Sequence, residues 1–131
     1  MAIQIIREVI ADVVKRGATK VIYAKQHDFN SRFLKIRIQV DGVDFDVKPT
    51  SRATLNVSRP DKSTKKIGGS VNSDGTVTIP MDSWMLDLAG TIQCDVSVVE
   101  EEGTTVSKLT TMKFSIRVEE EVVCDDSCVT T

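Results

Sequence analysis

The run AKQHDFNSRFLKIRIQV, Ala24 to Val40, decides the fold. Its second half alternates strictly. Leu34, Ile36, Ile38 and Val40 fall on one side, and Phe33, Lys35, Arg37 and Gln39 on the other. A period of two marks a strand with one buried face and one face open to water or to a partner. The first half, Lys25 to Arg32, is polar, and its Asp28, Asn30 and Ser31 belong to types whose side chains close turns on their own backbone. A polar turn therefore feeds a central strand. Asp41-Gly42 follows at once, a pair that tolerates the positive φ of a two-residue hairpin turn. On the return, Val43, Phe45 and Val47 are expected inward and Asp44 and Asp46 outward, until Pro49, which cannot donate to a ladder.

The same period recurs outward from this unit. Ala53, Leu55 and Val57 alternate with Thr54, Asn56 and Ser58, and Thr76 to Ile79 is closed by Pro80. Ile92, Cys94, Val96 and Val98 form the cleanest inward set, and Met112, Phe114, Ile116 and Val118 the last. A slip of one residue would expose each set, at about 1.5–3 kcal/mol for every large side chain, so register is well specified. Between the strands, Arg59 to Lys66 reads as a polar loop with a basic cluster at Lys62, Lys65 and Lys66. Gly68-Gly69 and Asp74-Gly75 bracket an irregular edge near Val71. Glu100 to Gly103 reads as a charged hairpin loop. Asp82 or Ser83 is placed to cap one short helix through Trp84, Met85, Leu86 and Leu88, stopped by Gly90 before the Thr91 strand.

The N-terminal stretch Met1 to Arg16 admits two readings. Ile3, Ile6, Ile10 and Val14 would stripe a helix, yet the β-branched residues favour a strand from Glu8 to Lys15. Gly17 to Lys20 then turns the chain into Val21-Ile22-Tyr23-Ala24. Short alternating strands joined by Gly, Pro and Asx turns describe an all-β sandwich or barrel. We expect a single β-sandwich domain over 1–119, with 120–131 as an acidic tail.

With 131 residues the chain can bury its own core, and with 5% aromatic residues that core must be built mainly from Val, Ile and Leu. The formal net charge of -2 speaks against nucleic acid, which calls for a basic excess. Three cysteines give no closed disulfide framework, and Cys94 falls on an inward position. This suits synthesis in a reducing cytosol. No export signal is expected, and no apolar run approaches the roughly 20 residues of a bilayer crossing, so no membrane association is expected either.

A search for catalysis finds little. The single histidine, His27, sits in a polar turn beside Asp28 and Ser31, and adjacency in a turn is not the geometry of a triad. No phosphate loop with its lysine and no His-x-x-x-His pair occurs. Cys124-Asp-Asp-Ser-Cys128 offers two thiols where a closed zinc site needs four ligands, and reads as surface thiols on the tail. Trp84 is expected to lie over the end of the core. Catalytic, metal and cofactor residues are accordingly expected to be none, and the protein no enzyme.

Certain segments resemble a known family. Lys15-Arg16-Gly17, Ala24-Lys25-Gln26-His27-Asp28 and Asn30-Ser31-Arg32-Phe33-Leu34 are similar to the N-terminal domain of phage baseplate upper proteins. So are Ala53-Thr54-Leu55, Arg59-Pro60-Asp61, Gly75 to Pro80, Met85 to Gly90, Cys94-Asp95-Val96 and Thr110 to Val118. The resemblance runs from about Asp12 to Glu119. It implies an immunoglobulin-like antiparallel β-sandwich in a tailed-phage or prophage virion, made in the cytoplasm of a bacterial host. The implied partners are other virion proteins: the tail-tip core and a fibre or receptor-binding protein.

No helical stalk or receptor-binding head follows the sandwich in this sequence, which fits a short fibre-attachment adaptor. Met1 to Arg7 would serve as a docking arm. The interface is expected at Lys25, Gln26, Asp28, Arg32, Lys35 and Arg37, repeated in a homo-oligomer. Outward Lys35, Arg37, Lys113 and Arg117 would meet acidic loops such as Glu100 to Glu102. The alternatives are a host-surface glycan-binding module and a capsid-attached decoration or fibre-anchoring protein.

Overall fold

The computed structural model describes residues 4–14 and 21–120. In chain order its strands are β1 (Ile5–Asp12), β2 (Ile22–Lys25), β3 (Arg32–Val40), β4 (Val43–Phe45), β5 (Arg52–Ser58), β6 (Thr64–Gly68), β7 (Ser70–Val71), β8 (Val77–Pro80), β9 (Gly90–Glu102), β10 (Thr105–Thr110) and β11 (Phe114–Glu119). They form a five-stranded sheet, ordered β1-β3-β8-β7 with β4 beside β3, and a six-stranded sheet, ordered β2-β11-β9-β5-β6 with β10 beside β9. The alternation of β3 holds at Leu34, Ile36 and Ile38, which are fully buried, while Val40, expected on the same side, is exposed beside the hairpin turn. The three buried residues share one core with Leu55, Val77, Ile79, Ile92, Val96 and Ile116, so the inner faces of the two sheets make a sandwich.

The sheets are mixed rather than purely antiparallel. β1 runs parallel to β3, with Ile5 opposite Arg32 and Asp12 opposite Gln39. β2 runs parallel to β11, with Ile22 opposite Ile116. The chain thus joins the first sheet, then crosses to the second. For the N-terminal stretch this decides in favour of a strand, displaced towards the N-terminus of the expected Glu8–Lys15. Of the expected docking arm, Ile5 to Arg7 lie in β1. Met1 to Ile3, the Lys15-Arg16-Gly17 segment, and the tail from 121 with its two cysteines lie outside the described residues.

The Asp41-Gly42 turn forms as expected, with φ of 51° and 83°, and Val40 lies opposite Val43. Val43 itself is a correction. It is exposed at the hairpin tip, where β4 is a short strand paired with β3.

The helix before Thr91 does not form. Asp82 does accept from the Met85 amide at 2.9 Å, and Leu86 N–H reaches the Asp82 carbonyl at 3.3 Å. The Leu86 carbonyl, however, is taken by the His27 amide at 2.7 Å. One capped turn with both Met85 and Leu86 buried does not propagate, since nucleation is costly and tertiary bonds claim its carbonyls.

Two expected loops are strands. Thr64–Gly68 is an edge strand, whose exposed lysines are a usual means of blocking further pairing. Glu100 to Glu102 continue β9 and pair with β10. Met112 precedes the last strand instead of starting it. There Thr111 breaks the edge: its amide donates to the Val96 carbonyl at 2.9 Å, and its hydroxyl accepts from the Val96 amide at 3.0 Å. A side chain stands in for a carbonyl, so β10 and β11 run along one side of β9.

Candidate docking surface

Three connections meet at one end of the sandwich: residues 26–31 between β2 and β3, residues 59–63 between β5 and β6, and residues 81–89 between β8 and β9. The first is pinned at its base. Gln26 donates its main-chain amide to Glu119 O at 2.8 Å and its side-chain amide to Asp87 O at 2.9 Å. His27 bonds Leu86 as above. Asp28 and Arg32 form an ion pair, Nε to Oδ2 at 2.7 Å and partly buried. Met81 N–H donates to the Arg32 carbonyl at 2.9 Å.

His27 and Asn30 hold φ of 70° and 52°, a left-handed conformation that is uncommon outside glycine. Between them Phe29 points outward and is 66% exposed. One neighbouring connection, the end of β11 and a local ion pair therefore display one aromatic ring.

The other two connections are joined by Arg59 and Trp84. The guanidinium sits 4.3 Å from the ring centre. Its NH1 donates to the Trp84 carbonyl at 3.2 Å and its NH2 to Asp61 at 2.9 Å. Its Nε has no hydrogen-bond partner, in keeping with a group engaged by its face. The Ser63 amide, followed by the Arg59 guanidinium, holds the Asp61 carboxyl below its ordinary range. Lys65 approaches Trp84 at 5.7 Å and bonds Asp82 at 2.7 Å. Gly90, at φ 131°, lies against Pro60, where a Cβ would come within 2.8 Å of the proline ring. Trp84 packs on the end of the core, as its sequence context suggests.

The six expected interface residues fall into two groups. Lys25, Gln26, Asp28 and Arg32 belong to this loop end. Lys35 and Arg37 lie on the outer face of the first sheet, along a cleft of about 340 Å³ shared with Glu8, Ile10 and Asp44. There they are engaged within the chain. Lys35 meets Asp74 at 3.3 Å; Arg37 meets Asp46 at 2.6 Å and the Asp74 carbonyl at 2.7 Å. The Asp74 carboxyl is lowered to about 2, chiefly by the Thr76 hydroxyl and amide, with Lys35 adding to it. Within this one chain Glu101 pairs with Arg52 and Glu102 with Lys48.

Phe29, Arg59 and Trp84 were missed as one constellation. The signal available was that Gln26-His27-Asp28, Arg59-Pro60-Asp61 and Met85 to Gly90, scattered in sequence, are all pieces of the resemblance, and all three meet at this end.

The model of the BppU N-terminal domain matches residues 5–131. The chain belongs to the BppU N-terminal domain family. BppU is the baseplate upper protein, and membership makes this chain a phage tail or baseplate component of the virion. Among solved structures, the chain is similar to the N-terminal domain of phage TP901-1 ORF48, with a TM-score of 0.70 at 15% identity, over 87% of this chain and 98% of that one. At that identity the likeness concerns the fold. Among curated proteins nothing matches this sequence. The family is one of phage baseplate structural proteins, and His27 is exposed in its turn.

Proposed function

We propose that this BppU-family domain is an adaptor in the phage tail, joining the tail-tip core to a fibre or receptor-binding protein by protein–protein docking. The loop end is the docking surface and Phe29 its anchor. The observation that carries this is the exposed ring between His27 and Asn30, held on a base tied by Asp28–Arg32 and by bonds to Leu86 and Asp87. A rigid aromatic loses little conformational freedom on burial, and such residues dominate interface energetics. Lys25, Gln26, Asp28 and Arg32 form the polar rim around it. Repetition of the domain in an oligomer turns modest single contacts into strong attachment. Residues 1–119 serve as the docking domain and 120–131 as a separate acidic segment.

The test is to build F29D into a phage that encodes this protein and image the tails. Tails lacking the protein, together with an unchanged urea midpoint for the purified variant, are the expected result. Wild-type occupancy with F29D would overturn the reading.

A further inference from the structure

The strand edges of the sandwich are guarded unevenly. β4 and β7 are three and two residues long, and β6 exposes lysines, all usual means of discouraging further pairing. β1 is different. It is eight residues long and has β3 as its one neighbour among the described strands. It exposes Ile5, Ile6 and Ile10, and its first four residues are exposed on both faces.

The ladder decides which main-chain groups are open. Ile5 N–H donates to the Ser31 carbonyl at 2.6 Å, and Val13 N–H to the Gln39 carbonyl at 2.8 Å. In a parallel pair every second residue bonds its neighbour, so the odd-numbered residues of β1 face β3 and the even-numbered ones face away. Near the far end the Asp12 carbonyl is taken by the Met112 amide at 2.8 Å. Among the described residues no strand pairs with the edge-facing groups of Ile6 and Glu8. A row of unpaired donors and acceptors is a template for another strand. On the outer face, the row Ile6, Phe33, Pro80 is apolar and stops at this edge, with Ile6 51% exposed. The next row is Glu8, Lys35, Thr78.

We infer that β1 pairs antiparallel with β1 of a second copy, about a twofold axis at Ile6. A self-pairing that keeps outer face beside outer face is centred on a residue, since a shift by one exchanges the faces. Centring on Arg7 or Glu8 sets two arginines or two glutamates directly opposite each other, which destabilises. Centring on Val9 calls on Asp12, whose carbonyl is occupied. Centring on Ile6 uses the open edge from Gln4 to Glu8: Ile6 meets Ile6, Gln4 meets Glu8, and Ile5 meets Arg7. The apolar row then runs unbroken from Pro80 of one copy, through both Ile6 side chains, to Pro80 of the other. Such self-complementarity is what a twofold interface requires, and it favours a second copy over a foreign strand. Within the chain, β1 continues from its Asp12 end and β11 ends beside β2 in the other sheet.

Five residues a side fall short of the roughly 1,200 Å² of a standard interface, so the contact is weak singly and gains by repetition in a particle. The inference supplies a surface for the oligomer proposed above. F29D is read in tail occupancy and the variants below in association of the purified chain, so the two readings fail separately.

I6C in a C124S/C128S background reports the register on the full chain. Opposed hydrogen-bonded residues have Cα atoms about 5.5 Å apart, within disulfide reach, so mild oxidation should link two copies. E8C in the same background should stay unlinked, because Glu8 faces Gln4. In sedimentation, wild type should dimerise reversibly with a Kd of roughly 10 μM to 1 mM. I6K and I6E should each associate at least about tenfold more weakly, and their equimolar mixture should recover association, since residue 6 faces residue 6. A wild type still monomeric at about 1 mM would overturn the inference. So would I6C that forms no link between copies, E8C that links as readily as I6C, or a mixture that associates no better than its components. The disulfide arm decides the matter even if a charged variant folds poorly.

Discussion

Arg59 lies over Trp84 at 4.3 Å and also donates to its carbonyl, so one side chain holds both the ring and the backbone of the β8–β9 connection. Replacing Arg59 by Met removes the cation from the ring and the bonds to Trp84 and Asp61. We expect a loss of about 2 kcal/mol, from a cation–π term of about 1 and charged hydrogen bonds of similar size. Urea unfolding followed by the emission of Trp84, the single tryptophan, measures it directly. Lys at position 59 should recover little, since an ammonium cannot lie flat on the ring and reach both oxygens.

Asp28 and Arg32 are partly buried, at 38% and 16% side-chain exposure, which lifts them above an ordinary surface pair. A double-mutant cycle with D28N and R32M should give a coupling of about 1 kcal/mol. Coupling near zero would mean that the 26–31 connection is held by its main-chain and Gln26 bonds, to Glu119, Leu86 and Asp87, and not by the ion pair.

Asp74 keeps its charge to lower pH than an ordinary aspartate, its value being lowered from 3.8 to about 2. A carboxyl with a depressed folded-state value contributes stability above its unfolded value and loses it as pH falls through the folded one. D74N should therefore be less stable than wild type near neutrality. The gap should close as pH falls from about 4 towards about 2. Denaturation midpoints of both proteins across this window check the sign, and a gap that widens in acid would contradict it.

Burial pushes the Cys94 thiol up to about 12. Because the thiolate is the reactive form, native Cys94 should resist alkylation at pH 8 and react at once in denaturant. Labelling in a C124S/C128S background isolates this residue, and mass spectrometry counts the adducts.

Gly75 holds φ at 84°, and a Cβ there would come within 2.8 Å of the Asp46 Cα. G75A should cost about 2 kcal/mol, combining left-handed strain with a backbone collision that no side-chain rotation relieves. Thermal unfolding of the variant reads this out.

The long alternating strands were legible because their apolar residues repeat with period two and bury one face, as Leu34, Ile36 and Ile38 or Ile92, Cys94 and Val96 do. Asp41-Gly42 was legible because few residue pairs tolerate its backbone. What misled were segments whose partners lie elsewhere in the chain. Thr64–Gly68 reads as a loop by its charge and is a strand through pairing with β5. Trp84 to Leu88 carries the pattern of a helical turn, yet the Leu86 carbonyl answers to His27. Of the candidate docking surface, the polar turn that carries Asp28 and Asn30 was readable from its residue types. The exposure of Phe29 was not, because its inward or outward direction is set by two left-handed residues and not by any periodicity.

The two parallel pairings of the N-terminal region bear on when the domain can be finished. β1 finds its partner early, since β3 follows closely behind it. β2 must wait for β11, because Ile22 rests against Ile116. On a ribosome, the second sheet therefore lacks its closing seam until almost all of the described chain has emerged. Until then the row Ile22 and Ala24, buried in the finished protein, faces water. The β2–β11 pairing joins segments about ninety residues apart in the chain, and it also brings Glu119 to Gln26 at the base of the Phe29 turn. The base of the Phe29 turn therefore rests on a pairing between segments far apart in the sequence.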